Sequence, residues 1–199
     1  MIAAVILAAG ASSRMGRAKA LLPMPDGTTA LARLVATFDA AGTDEVVAVI
    51  GHHADMIRGA AIADGLRLHL VQNQDPSRGQ LSSLVTALRW LEPRGADAVL
   101  VMPVDQPLVR AETVRRIMEV WREIQSPIVR PARAGRHGHP VLFSSMLFPE
   151  LLAADLELGA RPVIARHADA AADVECDDPG AFDDIDTPED YQRIVGSRA

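Results

Sequence analysis

Short apolar runs alternate along this chain with longer segments in which apolar residues recur every three or four positions. The short runs predict strands at residues 2–7, 45–50, 66–72, 98–102, 128–131, 141–144 and 173–175. The helical spacing predicts helices at residues 29–41, 54–63, 82–91, 111–124 and 159–167, and a last helix that begins near Thr187. Strands that alternate with helices in this way indicate βαβ units.

The early strands are apolar at successive positions, which indicates burial on both faces. We therefore expect an α/β fold: a doubly wound, mostly parallel, Rossmann-like sheet with helices on both faces. The segment from residue 126 to 148 is less regular, because Pro127, Pro131 and Pro140 interrupt it. It predicts a small lobe inserted against the sheet, inside a single domain of residues 1–199.

Composition narrows the class of protein. The 199 residues carry a net charge of −6 and no lysine-rich tail, which argues against a dedicated nucleic-acid binder. Cys176 is the single cysteine, so an internal disulfide and a cysteine-only metal cage are excluded. No apolar run approaches the ~20 residues that span a membrane, and the first residues lack a basic leader. We expect a cytoplasmic protein that binds neither nucleic acid nor a membrane.

The stretch at residues 7–19 follows the first strand and is rich in small residues. It carries Gly10 and Gly16 together with Arg14, Arg17 and Lys19. Small residues let backbone amides approach phosphate oxygens, and the cations offset phosphate charge. A plain strand-to-helix turn with solvated basic residues is the alternative. The stretch matches neither the Walker A pattern nor the dinucleotide pattern G-x-G-x-x-G.

Three further polar stretches fall near strand ends, where ligands bind in open α/β sheets. Ser82 and Ser83 start a helix, which suits base or ribose recognition or an ordinary helix cap. Asp105 directly follows a strand and is either a Mg²⁺ ligand or the cap of the next turn. Asp184 and Asp186 alternate in a strand-like stretch, so we expect both on one side as a second acidic site. An acidic cluster that complements the last helix is the alternative.

Candidate zinc ligands are His52, His53, His137 and His139, since His-x-His can bind this metal. No cysteine or third histidine at ligand spacing completes such a site. The loop at residues 135–143 instead suits a substrate-facing position, where Arg133 and Arg136 could meet an anionic group. Met102, Met118 and Trp121 are interpreted as core residues.

Taken together, these motifs resemble those of a known family. The matching residues, in chain order, are Leu7 to Gly10, Ser12, Arg14, Met15, Gly16, Lys19, Leu21, Leu22, Gly79, Ser82 to Leu84, Asp105 to Pro107, Gly138 to Leu142 and Asp184 to Pro188. The chain resembles nucleotidyltransferases of the molybdenum-cofactor type, the MobA-like NTP transferase family, and most of all their cytidylyltransferase (MocA) branch. The motifs occur in order across nearly the whole length.

The resemblance implies a role for each matched position. Nucleotide-binding residues would be Leu7, Ala8, Ala9, Gly10, Ser12, Gly16, Asn73, Gly79, Gln80, Ser82 and Ser83. Catalytic residues would be Lys19, Arg14 and Asp105, with Mg²⁺ held by Asp105 and Asp186. The acceptor would contact Gln106, Pro107, Gly138 and His139.

The implied reaction transfers CMP from CTP to the phosphate of molybdopterin cofactor and releases pyrophosphate. A molybdenum hydroxylase that receives the product is an implied partner.

Guanylyl-transferring relatives usually carry glycine where Ala9 stands, which favours CTP over GTP. Gln80-Leu81 departs from the branch, which more often has an apolar and then a small residue. Alternatives are a GTP-using enzyme, another phosphorylated acceptor, or a non-catalytic cofactor carrier. No dinucleotide-binding motif in the sequence supports an oxidoreductase function.

Overall fold

The computed structural model describes residues 1–196, which form one eight-stranded sheet covered by helices. The strands are β1 (Ile2–Ala8), β2 (Glu45–Ile50), β3 (His69–Gln72), β4 (Ala98–Pro103), β5 (Ile128–Arg133), β6 (Arg136–His137), β7 (Val141–Ser144) and β8 (Ala172–Glu175). Their order in the sheet is β3-β2-β1-β4-β7-β5-β6, and β8 pairs with β5. The fold expectation of an α/β, mostly parallel sheet is confirmed.

The first half of the sheet is parallel and the second half is mixed. Strand β1 lies between β2 and β4 and is parallel to both, and β3 is parallel to β2. Strand β7 is antiparallel to β4 and β5, whereas β8 is parallel to β5. The carboxyl ends of β1, β2 and β4 therefore meet at one edge of the sheet, where a doubly wound fold binds its ligand.

Helices cover both faces. They are α1 (Ala30–Ala41), α2 (Ala54–Ala63), α3 (Gln80–Leu91), α4 (Ala111–Ile124), α5 (Phe148–Ala153), α6 (Arg161–Arg166) and α7 (Pro188–Ile194). Alternate residues of β1 enter two separate clusters: one packs on α1, α2 and α4, and the other on α3, α5 and α6. This double coverage explains why β1 is apolar at every position. No helix within residues 1–196 is long and apolar enough to cross a bilayer.

Two helix ends carry residues that are typical of such positions. Gly42 ends α1 in the left-handed conformation, with φ 84°. Thr187 caps α7 and forms a capping box with Asp190, and Pro188 occupies the first helical position. The predicted core residues Met102, Met118 and Trp121 are all buried.

The irregular segment predicted as an inserted lobe contributes strands to the sheet itself. Residues 128–144 form β5, β6 and β7, and β7 pairs directly with β4. The prolines that suggested a lobe lie in β5 or next to strand ends, which the mixed half of the sheet accommodates. Strand β3 begins at His69 rather than residue 66, because pairing with β2 starts at Val47 opposite His69.

Two predicted helices begin two residues away from their observed starts, and one helix was missed. The helix predicted at residues 159–167 is limited to α6, and that predicted at residues 82–91 begins at Gln80. Helix α5 was not predicted, although Pro149 at its start is a recognisable helix-entry signal. No strand is present around Asp184 and Asp186, so the strand-like interpretation of that stretch was wrong.

The buried carboxylate of Asp178 ties the start of α4 to the chain near β8. It accepts hydrogen bonds from the Arg110 amide at 2.8 Å, the Thr113 hydroxyl at 2.7 Å and the Gly180 amide at 3.1 Å. Because Arg110 is the N-cap of α4, Asp178 supplies the cap that the local sequence lacks.

We expect Asp178→Ala to lower the free energy of unfolding by about 2–4 kcal/mol, since it leaves buried donors without an acceptor. Chemical denaturation measures the loss. Asp169→Ala is the matched control, because Asp169 is exposed and should change stability by less than about 0.5 kcal/mol. Equal stability of the two variants would contradict the assigned role.

Candidate active site

The candidate site lies at the carboxyl edge of β1 and β4. Leu7 pairs with Pro103 in register, so the loop after β1 and the segment after β4 leave the sheet side by side. The Val104 amide donates to the Leu7 carbonyl at 3.2 Å, which extends this contact beyond the strands. Residues 9–19 and Asp105 are therefore neighbours because of the sheet register.

The loop after β1 leaves a row of backbone donors unused. Within residues 1–196, the amides of residues 10–14 donate no hydrogen bond. Ser12 has a positive φ of 52°, and its carbonyl accepts from the amides of Met15 and Gly16 at 3.0 and 3.2 Å. A turn with free successive amides forms a concave anion-binding surface. The backbone thus offers donors of the kind that phosphate oxygens require.

Lys19 is the centre of the side-chain arrangement. Its amide donates to the Ser12 hydroxyl oxygen at 3.1 Å, which fixes it relative to the loop. Its ammonium group contacts Asp105 at 2.9 Å and also donates to Asp186. The Arg14 guanidinium lies 2.9 Å from the other Asp186 oxygen. Two cations from the loop after β1 and two carboxylates from two other parts of the chain therefore form one network.

A backbone contact and a small apolar cluster bring Asp186 to this network. The Ile185 amide donates to the Asp105 carbonyl at 2.9 Å, so the two acidic segments are joined directly. Ile185 is fully buried with Met15 and Leu22 in a third apolar cluster. Asp184 points to a different partner, since it accepts from the Gln106 side chain. The pair predicted to share one side is therefore divided, and only Asp186 contacts Lys19.

Asp105 and Asp186 fit a divalent cation as a pair. One ammonium group touches both carboxylates, so a single cation can reach both. Within residues 1–196 no cluster of three or more His, Cys, Asp or Glu side chains is arranged to hold a metal. Mg²⁺ needs few protein ligands when phosphate oxygens and waters complete its octahedron. The donor set therefore suits a metal that arrives with a phosphorylated ligand.

The network shifts the ionisation of its members in opposite directions. Burial of the Lys19 ammonium opposes its charge, but hydrogen bonds to Asp186 and Asp105 prevail and raise its pKa above the usual value. The hydrogen bond from Lys19 lowers the pKa of Asp186, and Arg14 adds to the effect. Lys19 is thus held as a cation and Asp186 as an anion.

A cavity of about 320 Å³ opens beside the network. Eleven of the predicted site residues line it: Leu7, Ala8, Ala9, Gly10, Ser12, Arg14, Lys19, Gly79, Gln80, Ser83 and Asp105. They come from β1 and its loop, the start of α3 and the end of β4. The size and the mixed lining are suitable for a nucleotide.

Several predicted nucleotide-binding residues do not line this cavity. Asn73 is buried and donates to the hydroxyls of Ser82 and Ser83 at 2.8 and 3.0 Å. Ser82 in turn donates to the Gly79 carbonyl at 2.7 Å. These three side chains organise the turn that enters α3. Gly16 also lies outside the cavity lining and has a positive φ of 68°.

A second cavity, of about 480 Å³, adjoins the first and shares Leu7, Gly79 and Gln80 with it. Most of its remaining lining is apolar: Leu81, Leu84, Val101, Val141, Phe143, Leu156, Leu158, Gly159, Ala160 and Ile164. Polar groups are supplied by His139, Glu157 and Arg161. Two cavities that meet at one edge could hold two substrates at once.

The residues predicted to contact the acceptor are separated by the structure. His139 lines the second cavity; its Nδ1 is buried without a partner among the described residues, and burial lowers its pKa. Gln106 and Pro107 are buried and line neither cavity. Gly138 packs tightly, because a Cβ there would lie 2.3 Å from the Ala181 carbonyl oxygen.

Cavity residues that the motifs did not identify include His53, Ile57 and Pro76. They come from the segment between β2 and α2, from α2 and from the turn before α3, where no family motif was recognised. The position of His53 after a parallel strand was the available signal. Cys176 lies outside both cavities, and burial raises the pKa of its thiol, which agrees with a structural role.

Comparisons with known proteins identify relatives of this chain. The family model of the MobA-like NTP transferase domain matches residues 4–171. Nicotine blue oxidoreductase of Paenarthrobacter nicotinovorans is 30% identical over 206 residues, covering 98% of this chain and 96% of its own. Molybdenum cofactor guanylyltransferase of Cereibacter sphaeroides is 34% identical over 133 residues, which cover 65% of each chain. Rv0371c of Mycobacterium tuberculosis, in a crystal structure with manganese, is 31% identical with a TM-score of 0.76, and the match covers 98% of both chains. The chain belongs to the MobA-like NTP transferase family.

Proposed function

We propose that this protein transfers CMP from CTP to the terminal phosphate of a molybdopterin-type cofactor and releases pyrophosphate. The observation that carries the proposal is the network in which Lys19 joins Asp105 and Asp186 beside a row of free amides. Such a network supplies a phosphate-binding cation and a carboxylate pair for a divalent metal, as nucleotidyl transfer requires. The metal proposed is Mg²⁺, and the complex of the relative Rv0371c with manganese supports a divalent cation.

The reaction requires that the two substrates are positioned and that the charge of their phosphates is neutralised. It needs no protein nucleophile. A phosphate oxygen of the acceptor attacks the α-phosphorus of CTP, the bond from that phosphorus to the bridging oxygen breaks, and pyrophosphate leaves. Lys19 and Arg14 stabilise negative charge on the triphosphate, and the free amides of residues 10–14 bind its oxygens. Asp105 and Asp186 would hold the metal, which would supply Lewis-acid neutralisation of the phosphates.

The presence of two adjoining cavities supports separate places for the two substrates. The nucleotide occupies the first cavity, with its phosphates at the loop after β1. The acceptor enters the second cavity and places its phosphate near Gln80, which lines both. The polar groups of this cavity are His139, Glu157 and Arg161, and they face the organic part of the acceptor. The molybdopterin class is supported by the resemblance to the cofactor guanylyltransferase.

The choice of CTP is tested by pyrophosphate release from purified protein with Mg²⁺, molybdopterin cofactor and each of the four nucleoside triphosphates. We expect release with CTP. Release with GTP but not CTP would overturn the cytidylyl assignment, for which Ala9 is the sequence argument. No release with any nucleotide, together with tight cofactor binding, would favour the alternative of a cofactor carrier.

A further inference from the structure

We infer that His53 and His52 are positioning residues that hold the loop after β1 in its phosphate-binding form. The inference rests on the proposed function, because it concerns the triphosphate half of the same site. It starts from contacts that neither the family motifs nor the catalytic network includes. Both histidines lie between β2 and α2.

The end of β2 approaches the loop unusually closely. A Cβ at Gly51 would lie 2.6 Å from the Ala9 carbonyl oxygen and 3.0 Å from the Pro76 side chain, so only glycine fits without displacement. The His52 amide then donates to the same Ala9 carbonyl at 3.2 Å. This close approach places the two imidazoles next to the loop.

Each imidazole binds a different loop carbonyl through a different nitrogen. His52 Nδ1 lies 3.1 Å from the Ala9 oxygen, and His53 Nε2 lies 3.0 Å from the Ala11 oxygen. A carbonyl oxygen can only accept, so these nitrogens carry the hydrogens. His52 therefore donates through Nδ1 and His53 through Nε2.

Fixing these carbonyls also fixes the amides that follow them. In a trans peptide the C=O and the next N–H point in opposite directions. Holding the oxygens of Ala9 and Ala11 against the histidines therefore turns the amides of Gly10 and Ser12 away from them. Gly10 and Ser12 line the nucleotide cavity, and their amides donate to no other group within residues 1–196. The histidines thus keep two donors available for phosphate oxygens.

The test measures ligand affinity and needs no acceptor. Binding of CTP, pyrophosphate and CMP to the full chain with Mg²⁺ is measured by calorimetry. We expect His53→Leu to weaken binding of CTP and pyrophosphate about three- to tenfold, the effect of one lost hydrogen bond. CMP binding should change less than twofold, since CMP lacks the β- and γ-phosphates of CTP. His69→Leu is the control, because His69 lies on β3 outside the cavity.

Glutamine and asparagine substitutions of different length then distinguish a positioning role of the histidines from a general packing role. The amide nitrogen of glutamine stands where Nε2 of histidine stands, and that of asparagine where Nδ1 stands. We expect His53→Gln to restore affinity and His53→Asn to fail. At position 52 we expect His52→Asn to restore affinity and His52→Gln to fail. A melting temperature for each variant checks that the fold is retained.

The outcomes distinguish this inference from the proposed function. Equal affinities of wild type and His53→Leu, or an equal loss of CTP, pyrophosphate and CMP binding, would overturn the inference and leave nucleotidyl transfer intact. Selective loss with rescue by His53→Gln supports it even if no acceptor is ever turned over. A wild-type protein that binds neither CTP nor pyrophosphate would overturn both.

Discussion

Lys19→Met should reduce turnover by about 10²–10³-fold, because it removes a fixed cation from the site where charge develops on the triphosphate. The side chain is only 13% exposed and contacts both Asp105 and Asp186. Removal of the Lys19 ammonium should also strengthen metal binding in the absence of nucleotide. The reason is that the carboxylates of Asp105 and Asp186 lose the cation that contacts them and become available to a metal.

We expect the same variant to bind Mn²⁺ roughly tenfold more tightly than wild type when no nucleotide is present. Hydrogen bonds to charged groups contribute about 1.5–3 kcal/mol, which corresponds to a factor of ten or more. Titration of free Mn²⁺ by electron paramagnetic resonance measures this affinity, and pyrophosphate release measures turnover.

Arg17→Met is the matched control for Lys19→Met. Arg17 belongs to the same loop, but its guanidinium lies 5.8 Å from the Tyr191 ring centre and does not line the cavity. Both readouts should stay within about twofold of wild type, as for most surface substitutions. Lys19→Met with near-normal turnover would refute the role of Lys19 in phosphate binding.

Asp105→Asn should reduce turnover by about 10²–10³-fold while leaving the fold intact. The amide keeps the shape of the side chain but removes the negative charge that a hard cation requires. The contact that joins the acidic segments survives, since the Asp105 carbonyl that accepts from Ile185 belongs to the backbone. Mn²⁺ binding in the presence of CTP should weaken in parallel, and the unfolding midpoint should move little.

Asp184→Asn separates metal binding from general loss of acidic charge. Asp184 lies two residues from Asp186 but accepts from Gln106 and does not contact Lys19. We expect a change in turnover of less than about fivefold, because this hydrogen bond lies outside the network. If Asp184→Asn and Asp105→Asn lost activity equally, the metal pair assigned here would be wrong.

The apolar pattern of the sequence predicted the sheet, and the family resemblance implied much of the cavity lining. An apolar strand followed by small residues and glycine identifies a strand end, and parallel strand ends share an edge. This logic predicts that Gly10, Lys19 and Asp105 lie close together. The structure adds the contact of the Lys19 ammonium with both carboxylates, which depends on tertiary distances.

Other features required three-dimensional information. Asp184 and Asp186 look equivalent in the sequence, but only the packing of Ile185 shows which carboxylate contacts Lys19. Residues 128–144 contain prolines that favour a loop, whereas pairing of β7 with β4 makes them part of the sheet. The contact of His53 with Ala11 joins residues 42 positions apart, and no spacing rule identifies it.

Transfer of labelled phosphate tests the central claim most directly. The protein is incubated with Mg²⁺, molybdopterin cofactor and CTP labelled with ³²P at either the α or the γ position. Nucleotidyl transfer predicts that the α label appears in the cofactor product and the γ label in pyrophosphate. Recovery of the γ label in the cofactor, or transfer of neither label, would contradict the account.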